Sequence, residues 1–239
     1  MKINNMNEIV IIIPSYNPNK KLIEIVERLN DKVSKQIIII NDGSKTESNI
    51  YFENLSKKAT ILVNNINKGK GYSLKKAMNW ILKNKKNILG VITVDADGQH
   101  SLKDINRIAK KLKENLDNNQ EKIILGARNF KQKNVPLKNK IGNIINSYIM
   151  QKSKKIKIKD TQTGLRGIPA KYLNELSQLE GDRYEYEQNM LLYIIDKKIP
   201  FEELDIETIY NKENRTHYRT IQDTYKILKT YHWGRVKSS

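Results

Sequence analysis

The sequence predicts an α/β fold in which an open, mostly parallel β-sheet carries helices on both faces. Short runs rich in β-branched residues alternate with segments of helical period along the first half of the chain, the pattern of parallel strands joined by crossover helices. Polar residues also cluster directly after the predicted strands. Sheets of this kind bind their ligands beyond the carboxyl ends of the strands, so this edge is the predicted functional site.

The first helix and its two flanking strands show the alternation most clearly. Glu8–Pro14 and Gln36–Ile40 are short apolar runs of the kind that is buried on both faces of a sheet. Between them, Leu22, Val26 and Leu29 recur at the spacing of one helix face. The alternation continues with a strand at Thr60–Val63, a helix at Gly71–Lys83, a strand at Ile88–Val94, a helix at Leu102–Leu116 and a strand at Lys122–Leu125.

The second half of the chain has a less regular pattern. It predicts a helix at Ile141–Met150, an extended segment at Thr163–Ile168, a helix at Tyr186–Ile195 and a strand at Phe201–Ile206. No repeat, low-complexity tract or linker interrupts it, so residues 1–212 are predicted to form a single domain.

Residues 213–239 are predicted to form a basic amphipathic C-terminal helix and tail. Ile221, Tyr225, Leu228 and Tyr231 share one helical face, with lysines beside them. Such a helix either packs on its own domain or lies in the interface of a membrane. Both interpretations remain open from the sequence.

Length and composition limit the class of protein. The chain has 239 residues and no cysteine, so it can bury a core of its own and has no disulfide framework or thiolate metal site. No signal peptide is recognisable, and no stretch approaches the roughly 18 uninterrupted apolar residues that a membrane-spanning helix needs. We therefore expect a protein of the cytoplasm that is soluble or peripheral to a membrane.

Charge is distributed unevenly along the chain. The formal net charge is +18, and the segment Phe130–Lys159 contains nine lysines and no acid, whereas Glu180–Glu207 contains nine acids. A basic segment of this kind indicates an anionic partner: nucleic acid, nucleotide phosphates or an anionic membrane surface. The aromatic content is only 7%, and acids at the strand ends would repel phosphates unless a metal neutralised them, so we do not expect nucleic acid as a partner.

Asp95 and Asp97 follow the predicted strand Ile88–Val94 and form the principal candidate metal site. Two carboxylates separated by one residue can face one hard cation, and Mg²⁺ or Mn²⁺ would leave room for phosphate oxygens. Gln99 and His100 stand where a further ligand could come from. An Asp-Gly pair also marks ordinary turns, which is the competing interpretation of the same residues.

Asp42 and the segment 67–71 are the candidate nucleotide-binding features. Asp42 follows the second predicted strand, where an acid can accept hydrogen bonds from a ribose or a base. Asn67-Lys68-Gly69-Lys70-Gly71 precedes a helix and could offer backbone N–H groups and positive charge to phosphate. The sequence has neither a Gly-x-Gly-x-x-Gly motif after the first strand nor a Walker loop, which disfavours dinucleotide cofactors and P-loop chemistry.

These motifs, in this order, resemble those of a known enzyme family. The runs IIIPSYNP, INDGS, NKGKGYSLKKAM and VDADGQH are similar to those of the family 2 glycosyltransferases, which have the Rossmann-like GT-A fold. The later runs GARNF, DTQTGLRGIP and GDRYEYEQNMLL resemble the branch of dolichyl-phosphate mannosyltransferase and the polyprenyl-phosphate sugar synthases. The resemblance extends from about Ile9 to Leu192 and implies a GT-A fold and sugar transfer.

Carried over position by position, the resemblance implies a donor site and an acceptor site. The implied donor-nucleotide residues are Pro14, Tyr16, Asn17, Asp42, Lys70 and Asp95. The implied ligands of a Mg²⁺ or Mn²⁺ ion are Asp95, Asp97 and Gln99, and the implied donor-sugar residues are Asp160, Gln162 and Gly164. Arg128 is implied to lie near an acceptor phosphate, with Lys138, Lys140 and the cluster Arg215, His217 and Arg219 as further phosphate-binding candidates.

Two departures from the family pattern affect substrate identity. The branch often has an acid after the Pro-x-Tyr-Asn pattern, where this chain has Pro18, which leaves UDP and GDP open as the donor nucleotide. The branch also tends to have arginines where this chain has Lys138 and Lys140. Because lysine is a point charge and not a bidentate fork, the phosphate geometry there differs.

Charge also suggests which acceptor is used. A sugar hydroxyl needs a base to remove its proton, whereas a lipid phosphate is already ionised and needs positive charge beside it. The basic segment Phe130–Lys159 therefore favours an inverting, single-displacement transfer of a hexose from a UDP- or GDP-sugar to a polyprenyl phosphate, by an enzyme peripheral to the cytoplasmic face of the membrane.

Two alternatives keep the fold. In the first, the acceptor is a hydroxyl of a glycan or wall polymer, and Glu185 or Glu187 serves as the base. The competing interpretation is that both acids are helix-start residues favoured by the helix dipole. In the second, the chain is a non-catalytic sugar-nucleotide binder, which the intact pair Asp95 and Asp97 disfavours. Together, Asp97, Arg128, Glu185 and Glu187 are the candidate catalytic residues.

Overall fold

The computed structural model describes residues 8–33, 36–129, 143, 147 and 156–207. The strands of this part of the chain are β1 (Ile9–Ser15), β2 (Ile37–Asp42), β3 (Thr60–Asn64), β4 (Gly90–Thr93), β5 (Ile123–Arg128), β6 (Arg166–Pro169) and β7 (Phe201–Ile206). Its α-helices are α1 (Lys20–Lys32), α2 (Asn49–Leu55), α3 (Lys70–Asn84), α4 (Leu102–Asp117), α5 (Leu173–Ser177) and α6 (Glu185–Asp196). None of them is long and apolar enough to cross a membrane.

The strands form one seven-stranded sheet in the order β3-β2-β1-β4-β6-β5-β7. β1, β2, β3 and β4 pair in parallel, as do β5 and β7. β6 runs antiparallel to both of its neighbours, β4 and β5. The sheet is thus open and mostly parallel, as the sequence predicts, with one reversed strand in its interior.

Each face of the sheet is covered by its own hydrophobic core. In β1, Val10 and Ile12 face a core that contains residues of α3, α5 and α6. Ile9, Ile11 and Ile13 face the opposite core, with residues of α1, α2 and α4. All five side chains of this strand are fully buried, and each such burial stabilises the fold by about 1.5–3 kcal/mol. This two-sided burial explains the uninterrupted apolar run and confirms helices on both faces.

The predicted elements agree with the structure apart from their ends and two short helices. β5 continues three residues beyond the predicted Leu125, because Gly126, Ala127 and Arg128 also pair with β7. Helices α2 and α5 were not predicted, since seven and five residues are too few for a periodic signal. Of the predicted helix Ile141–Met150 only residues 143 and 147 are described, and the predicted C-terminal helix of residues 213–239 lies outside the described residues.

Candidate active site

The candidate site lies where the carboxyl ends of the parallel strands meet the start of β6. Because β6 is antiparallel to β4, its first residues lie beside the residues that follow β4. Thr93, the last residue of β4, donates a hydrogen bond from Oγ1 to the carbonyl oxygen of Gly164 at 2.6 Å. This contact places the loop before β6 against Asp95, so the predicted metal and donor-sugar residues share one site.

Lys70, Asp95 and Glu187 form an ion-pair cluster at the centre of the site. The Lys70 ammonium lies 2.6 Å from Asp95 Oδ1 and 2.9 Å from Glu187 Oε2. The exposed fractions of the three side chains are 17%, 27% and 8%. Burial alone would lower the pKa of Lys70, but the two carboxylates outweigh it and raise that pKa above its usual value. The lysine is therefore a permanent cation between two acids.

The carboxylate of Asp95 contacts positive or polar groups through both of its oxygens. Oδ1 faces Lys70, and Oδ2 lies 3.1 Å from His100 Nε2. Burial would raise the pKa of Asp95, but Lys70 and then His100 hold it well below its usual range. The sequence offered His100 as a possible source of a further metal ligand, and in the structure its imidazole contacts Asp95.

Asp97 has a different environment from Asp95. Its Oδ1 accepts a hydrogen bond from the backbone N–H of Gln99 at 3.0 Å, and it forms no salt bridge within the described residues. Burial, and then the negative charge of Asp95, raise the pKa of Asp97. The contact with Gln99 is through the backbone, so the predicted ligand role of its side chain stays a prediction.

Asp95 and Asp97 fit a divalent cation that takes its remaining ligands from a substrate. Both supply hard carboxylate oxygens, which Mg²⁺ and Mn²⁺ prefer. Across residues 8–33, 36–129, 143, 147 and 156–207, no group of three or more acidic, histidine or cysteine side chains could hold a metal by itself. A diphosphate that contributes oxygens is the usual complement to such a two-carboxylate set.

Gly164 leaves the space in which the Lys70–Asp95 pair forms. A Cβ atom at this position would lie 2.6 Å from Lys70 Nζ and 2.6 Å from Asp95 Oδ2. Any side chain at residue 164 would therefore push the pair apart. The predicted donor-sugar residue Gly164 thus lies directly against the predicted metal ligand Asp95.

Asp42 fixes the loop that leads into α3. Its Oδ1 accepts hydrogen bonds from Lys68 N–H at 3.0 Å and from Asn64 Nδ2 at 2.8 Å, and its Oδ2 accepts one from Gly69 N–H at 2.8 Å. Gly69 has φ of +105°, and a Cβ there would lie 2.4 Å from the Asp182 carbonyl oxygen. The Asp42 carboxylate therefore fixes the backbone directly before Lys70. A nucleotide could bind at this carboxylate only through the oxygen lone pairs of Asp42 that these hydrogen bonds leave free.

Of the predicted nucleotide residues at the end of β1, Asn17 contacts the loop that follows β2. The backbone N–H of Asn17 donates to Ser44 Oγ at 2.9 Å, and Asn17 Oδ1 accepts from Lys45 N–H at 2.8 Å. Asn17 has φ of +48°, a left-handed conformation that asparagine tolerates. Tyr16 beside it is an exposed aromatic residue and Pro14 is partly buried. The three residues thus border the edge at which the nucleotide is predicted.

Arg128 and Asp160 form a bidentate pair at the end of β5. Nε of Arg128 donates to Oδ2 at 2.6 Å and Nη2 donates to Oδ1 at 3.0 Å. The backbone N–H of Gln162 also donates to Asp160 Oδ1, at 2.9 Å. The structure therefore joins the predicted acceptor-side arginine to two predicted donor-sugar residues.

Glu185 and Glu187, the two candidate bases, have different surroundings. Glu185 Oε1 accepts hydrogen bonds from the backbone N–H groups of Asp182 and Arg183, both at 3.3 Å, so it stabilises the turn before α6. Glu187 is buried and paired with Lys70. Only Glu187 belongs to the cluster around Asp95.

The remaining phosphate-binding candidates lie outside the described residues. These are Lys138, Lys140, Arg215, His217 and Arg219. Their predicted roles stay predictions.

Arg166 belongs to the site and was not singled out from the sequence. Its buried guanidinium donates from Nε to the Thr163 carbonyl oxygen at 3.2 Å and from Nη1 to the Glu187 carbonyl oxygen at 3.0 Å. Burial lowers its pKa. Gln188 Nε2 similarly donates to the Thr161 carbonyl oxygen at 2.7 Å. The sequence signal that could have identified Arg166 is its position as a charged residue inside the apolar run LRGIP. A charge buried at such a position requires polar partners.

The open, mostly parallel seven-stranded sheet with helices on both faces is the fold of a GT-A glycosyltransferase. The family model described as Glycosyl transferase family 2 matches residues 10–177. The chain belongs to that family, and it is a glycosyltransferase.

Two relatives indicate the branch of the family. The chain is 32% identical to the UDP-N-acetylglucosamine–dolichyl-phosphate N-acetylglucosaminyltransferase of Methanococcus voltae, over 92% of this chain and 93% of that protein. It is 27% identical to a dolichyl-phosphate beta-glucosyltransferase of Trichomonas vaginalis, over 65% of this chain and 51% of that protein. The resemblance to the polyprenyl-phosphate sugar synthase branch is thereby confirmed.

A solved structure confirms the fold. Glucosyl-3-phosphoglycerate synthase from Mycobacterium tuberculosis, in complex with Mn²⁺, UDP and phosphoglyceric acid, matches with a TM-score of 0.65 at 12% identity. The match covers 94% of this chain and 75% of that one. The same enzyme was also crystallised with Mg²⁺ and UDP, and this second structure matches with a TM-score of 0.61 at 13% identity.

Proposed function

We propose that this glycosyltransferase moves one sugar from a UDP- or GDP-sugar to the phosphate of a polyprenyl phosphate, with inversion at the anomeric carbon and with Mg²⁺ or Mn²⁺. The observation that carries the proposal is the pairing of Glu187 with Lys70 at 2.9 Å. Of the two candidate bases, only Glu187 belongs to the Asp95 cluster, and its carboxylate is already paired with the Lys70 cation. The site is thus better suited to an acceptor that arrives already ionised.

The donor side of the reaction requires stabilisation of a leaving diphosphate. A bound divalent cation supplies positive charge to that leaving group, and Asp95 and Asp97 are the residues that would hold the ion. Lys70 adds a permanent positive charge within the same site. The loops fixed by Asn17 and Asp42 border the position proposed for the nucleotide.

The acceptor side favours a phosphate over a hydroxyl. A hydroxyl acceptor needs a carboxylate within hydrogen-bond reach to take its proton. The carboxylate of Glu185 accepts hydrogen bonds from the turn before α6, and the carboxylate of Glu187 is paired with Lys70. A phosphate monoester, whose second pKa is about 6, carries its negative charge at neutral pH without such a base. Direct attack by its oxygen on the anomeric carbon would invert the configuration.

The names of the relatives supply the substrate classes to be tested first. The archaeal relative is named for UDP-N-acetylglucosamine and dolichyl phosphate, and the protozoan relative for dolichyl phosphate and glucose. We propose the same two substrate classes, a sugar nucleotide as donor and a polyprenyl phosphate as acceptor, for this chain. Because a polyprenyl acceptor resides in a membrane, we propose that the enzyme works as a peripheral protein at the cytoplasmic face, with residues 213–239 as the predicted contact.

The test is release of nucleoside diphosphate from UDP- and GDP-sugars, with Mn²⁺ or Mg²⁺, with and without a short-chain polyprenyl phosphate. We expect turnover that requires the lipid phosphate and is lost in Asp97→Asn. Glu185→Gln serves as a matched control and should retain most of the activity. An α-linked donor should give a β-linked product.

Other outcomes would redirect the proposal. Turnover that depends on a glycan and not on the lipid phosphate would indicate a hydroxyl acceptor, with Glu187 as its base. Failure to bind any sugar nucleotide in the presence of either metal would contradict the donor assignment.

A further inference from the structure

Lys70 occupies the position at Asp95 where a metal ion would be expected. It is the first residue of α3, and its ammonium lies 2.6 Å from Asp95 Oδ1. The other oxygen of Asp95 faces His100. A divalent cation that binds Asp95 Oδ1 would lie beside the Lys70 ammonium, and the repulsion between the two cations opposes its binding while Lys70 stays in place.

Glu187 provides a second carboxylate for Lys70. It lies 2.9 Å from the same ammonium, is almost fully buried, and its backbone carbonyl is fixed by Arg166. When Lys70 leaves Asp95 it can thus remain paired with Glu187, so it need not lose all its stabilisation. Gly164 lies directly against both Lys70 and Asp95, so no side chain at that position separates the two groups.

We propose that Lys70 is a resident counter-cation of Asp95 that excludes the divalent ion until a nucleoside diphosphate binds. The diphosphate offers Lys70 an alternative negative partner and offers the ion additional oxygens. Cation and donor nucleotide then bind together, and the ion alone binds weakly. This inference rests on the proposed metal-dependent function and adds an order of binding to it.

The experiment is a titration of the purified full chain with Mn²⁺, in which electron paramagnetic resonance measures the free ion, with and without UDP or GDP. Wild type should bind Mn²⁺ weakly alone and more tightly with the diphosphate. Lys70→Met should bind Mn²⁺ without nucleotide about tenfold more tightly than wild type, because the competing charge is gone. The gain in Mn²⁺ affinity produced by the diphosphate should shrink in the same variant.

Two further variants distinguish the effect of the Lys70–Asp95 contact from the effect of changing the charge of the protein. Lys83→Met removes an exposed lysine from the last turn of α3, at the other end of the same helix, and should change Mn²⁺ affinity less than about twofold. Glu187→Gln leaves Asp95 as the only carboxylate partner of Lys70. It should enlarge the gain in Mn²⁺ affinity that the diphosphate produces, whereas a general loss of negative charge would weaken Mn²⁺ binding equally with and without nucleotide. This variant therefore tests the inference even where Lys70→Met fails to fold.

The outcomes distinguish this inference from the proposed function. If wild type binds Mn²⁺ with a diphosphate but Lys70→Met and Lys83→Met show the same Mn²⁺ affinity, the role of Lys70 is overturned and the metal-dependent function stands. If wild type binds no Mn²⁺ with UDP or with GDP, the metal-dependent function fails and the inference fails with it.

Discussion

Arg128 holds Asp160 through two parallel hydrogen bonds, in which Nε donates to Oδ2 at 2.6 Å and Nη2 donates to Oδ1 at 3.0 Å. The Asp160 side chain has no exposed surface and that of Arg128 is 11% exposed. The backbone N–H of Arg128 also donates to the carboxylate, at 3.1 Å. One buried pair thus joins β5 to the loop before β6, and it joins the predicted acceptor side of the site to the predicted donor-sugar side.

Asp160→Asn should impair both stability and catalysis. The substitution leaves the Arg128 guanidinium without its buried counter-charge, and such a loss typically costs about 3 kcal/mol. We expect a lower free energy of unfolding in urea and a lower kcat. Arg128→Lys is the matched variant: it keeps the charge but loses the fork, so its loss of stability should be smaller. Equal stability of Asp160→Asn and wild type would contradict the structural role of the pair.

Asp42→Asn should loosen the loop that places Lys70. The carboxylate accepts two backbone N–H groups of that loop, and hydrogen bonds to a charged group contribute about 1.5–3 kcal/mol each. We expect a drop in melting temperature and weaker binding of the donor nucleotide, measured by calorimetry. The exposed Asp31→Asn is the control, and it should change neither quantity. Unchanged nucleotide affinity in Asp42→Asn would mean that this loop does not help to form the donor site.

Gly164→Ala should reduce activity more than stability. The new methyl group would meet the movable ends of Lys70 and Asp95, and overpacking of this kind costs about 1–3 kcal/mol. Activity should fall further, since the displaced groups belong to the site. Gly69→Ala is a contrasting variant, because its Cβ would meet the backbone carbonyl of Asp182 at a φ of +105°. It should lower the melting temperature more than Gly164→Ala does.

Asp97→Asn should abolish metal binding without destabilising the metal-free protein. Burial and the charge of Asp95 raise the pKa of Asp97 in the folded state, so ionising this carboxyl opposes folding as the pH rises through that pKa. At neutral pH without metal, the melting temperature of the variant should equal or exceed that of wild type. Only wild type should gain stability from Mn²⁺ with a diphosphate. A marked loss of stability in metal-free Asp97→Asn would contradict this description of the site.

Much of the fold could be predicted because it depends on local pattern. The run Ile9–Ile13 has the residues of a strand buried on both faces, and the structure buries every one of them. The carboxyl ends of parallel strands meet at one edge by geometry, so Asp42, Asp95 and Asp97 could be assigned to one site from their positions after predicted strands.

The partners of these residues could not be predicted, because they depend on how distant segments meet. The reversed direction of β6 brings Gly164 onto Thr93, 71 residues earlier in the chain. Lys70 and Glu187 come from two helices on the same face of the sheet, and no spacing in the sequence encodes their contact. For the same reason, the sequence left Glu185 and Glu187 equivalent, whereas only one of them reaches Lys70.

The most direct test of the central claim is mass spectrometry of polyprenyl phosphate after incubation with the enzyme, a sugar nucleotide and Mn²⁺. UDP-N-acetylglucosamine, UDP-glucose and a GDP-hexose should be tested separately. We predict a new lipid, heavier than the starting polyprenyl phosphate by one sugar residue, that is absent with Asp97→Asn or with a chelator. Unmodified polyprenyl phosphate with every donor, together with transfer of the sugar to a glycan hydroxyl, would contradict it.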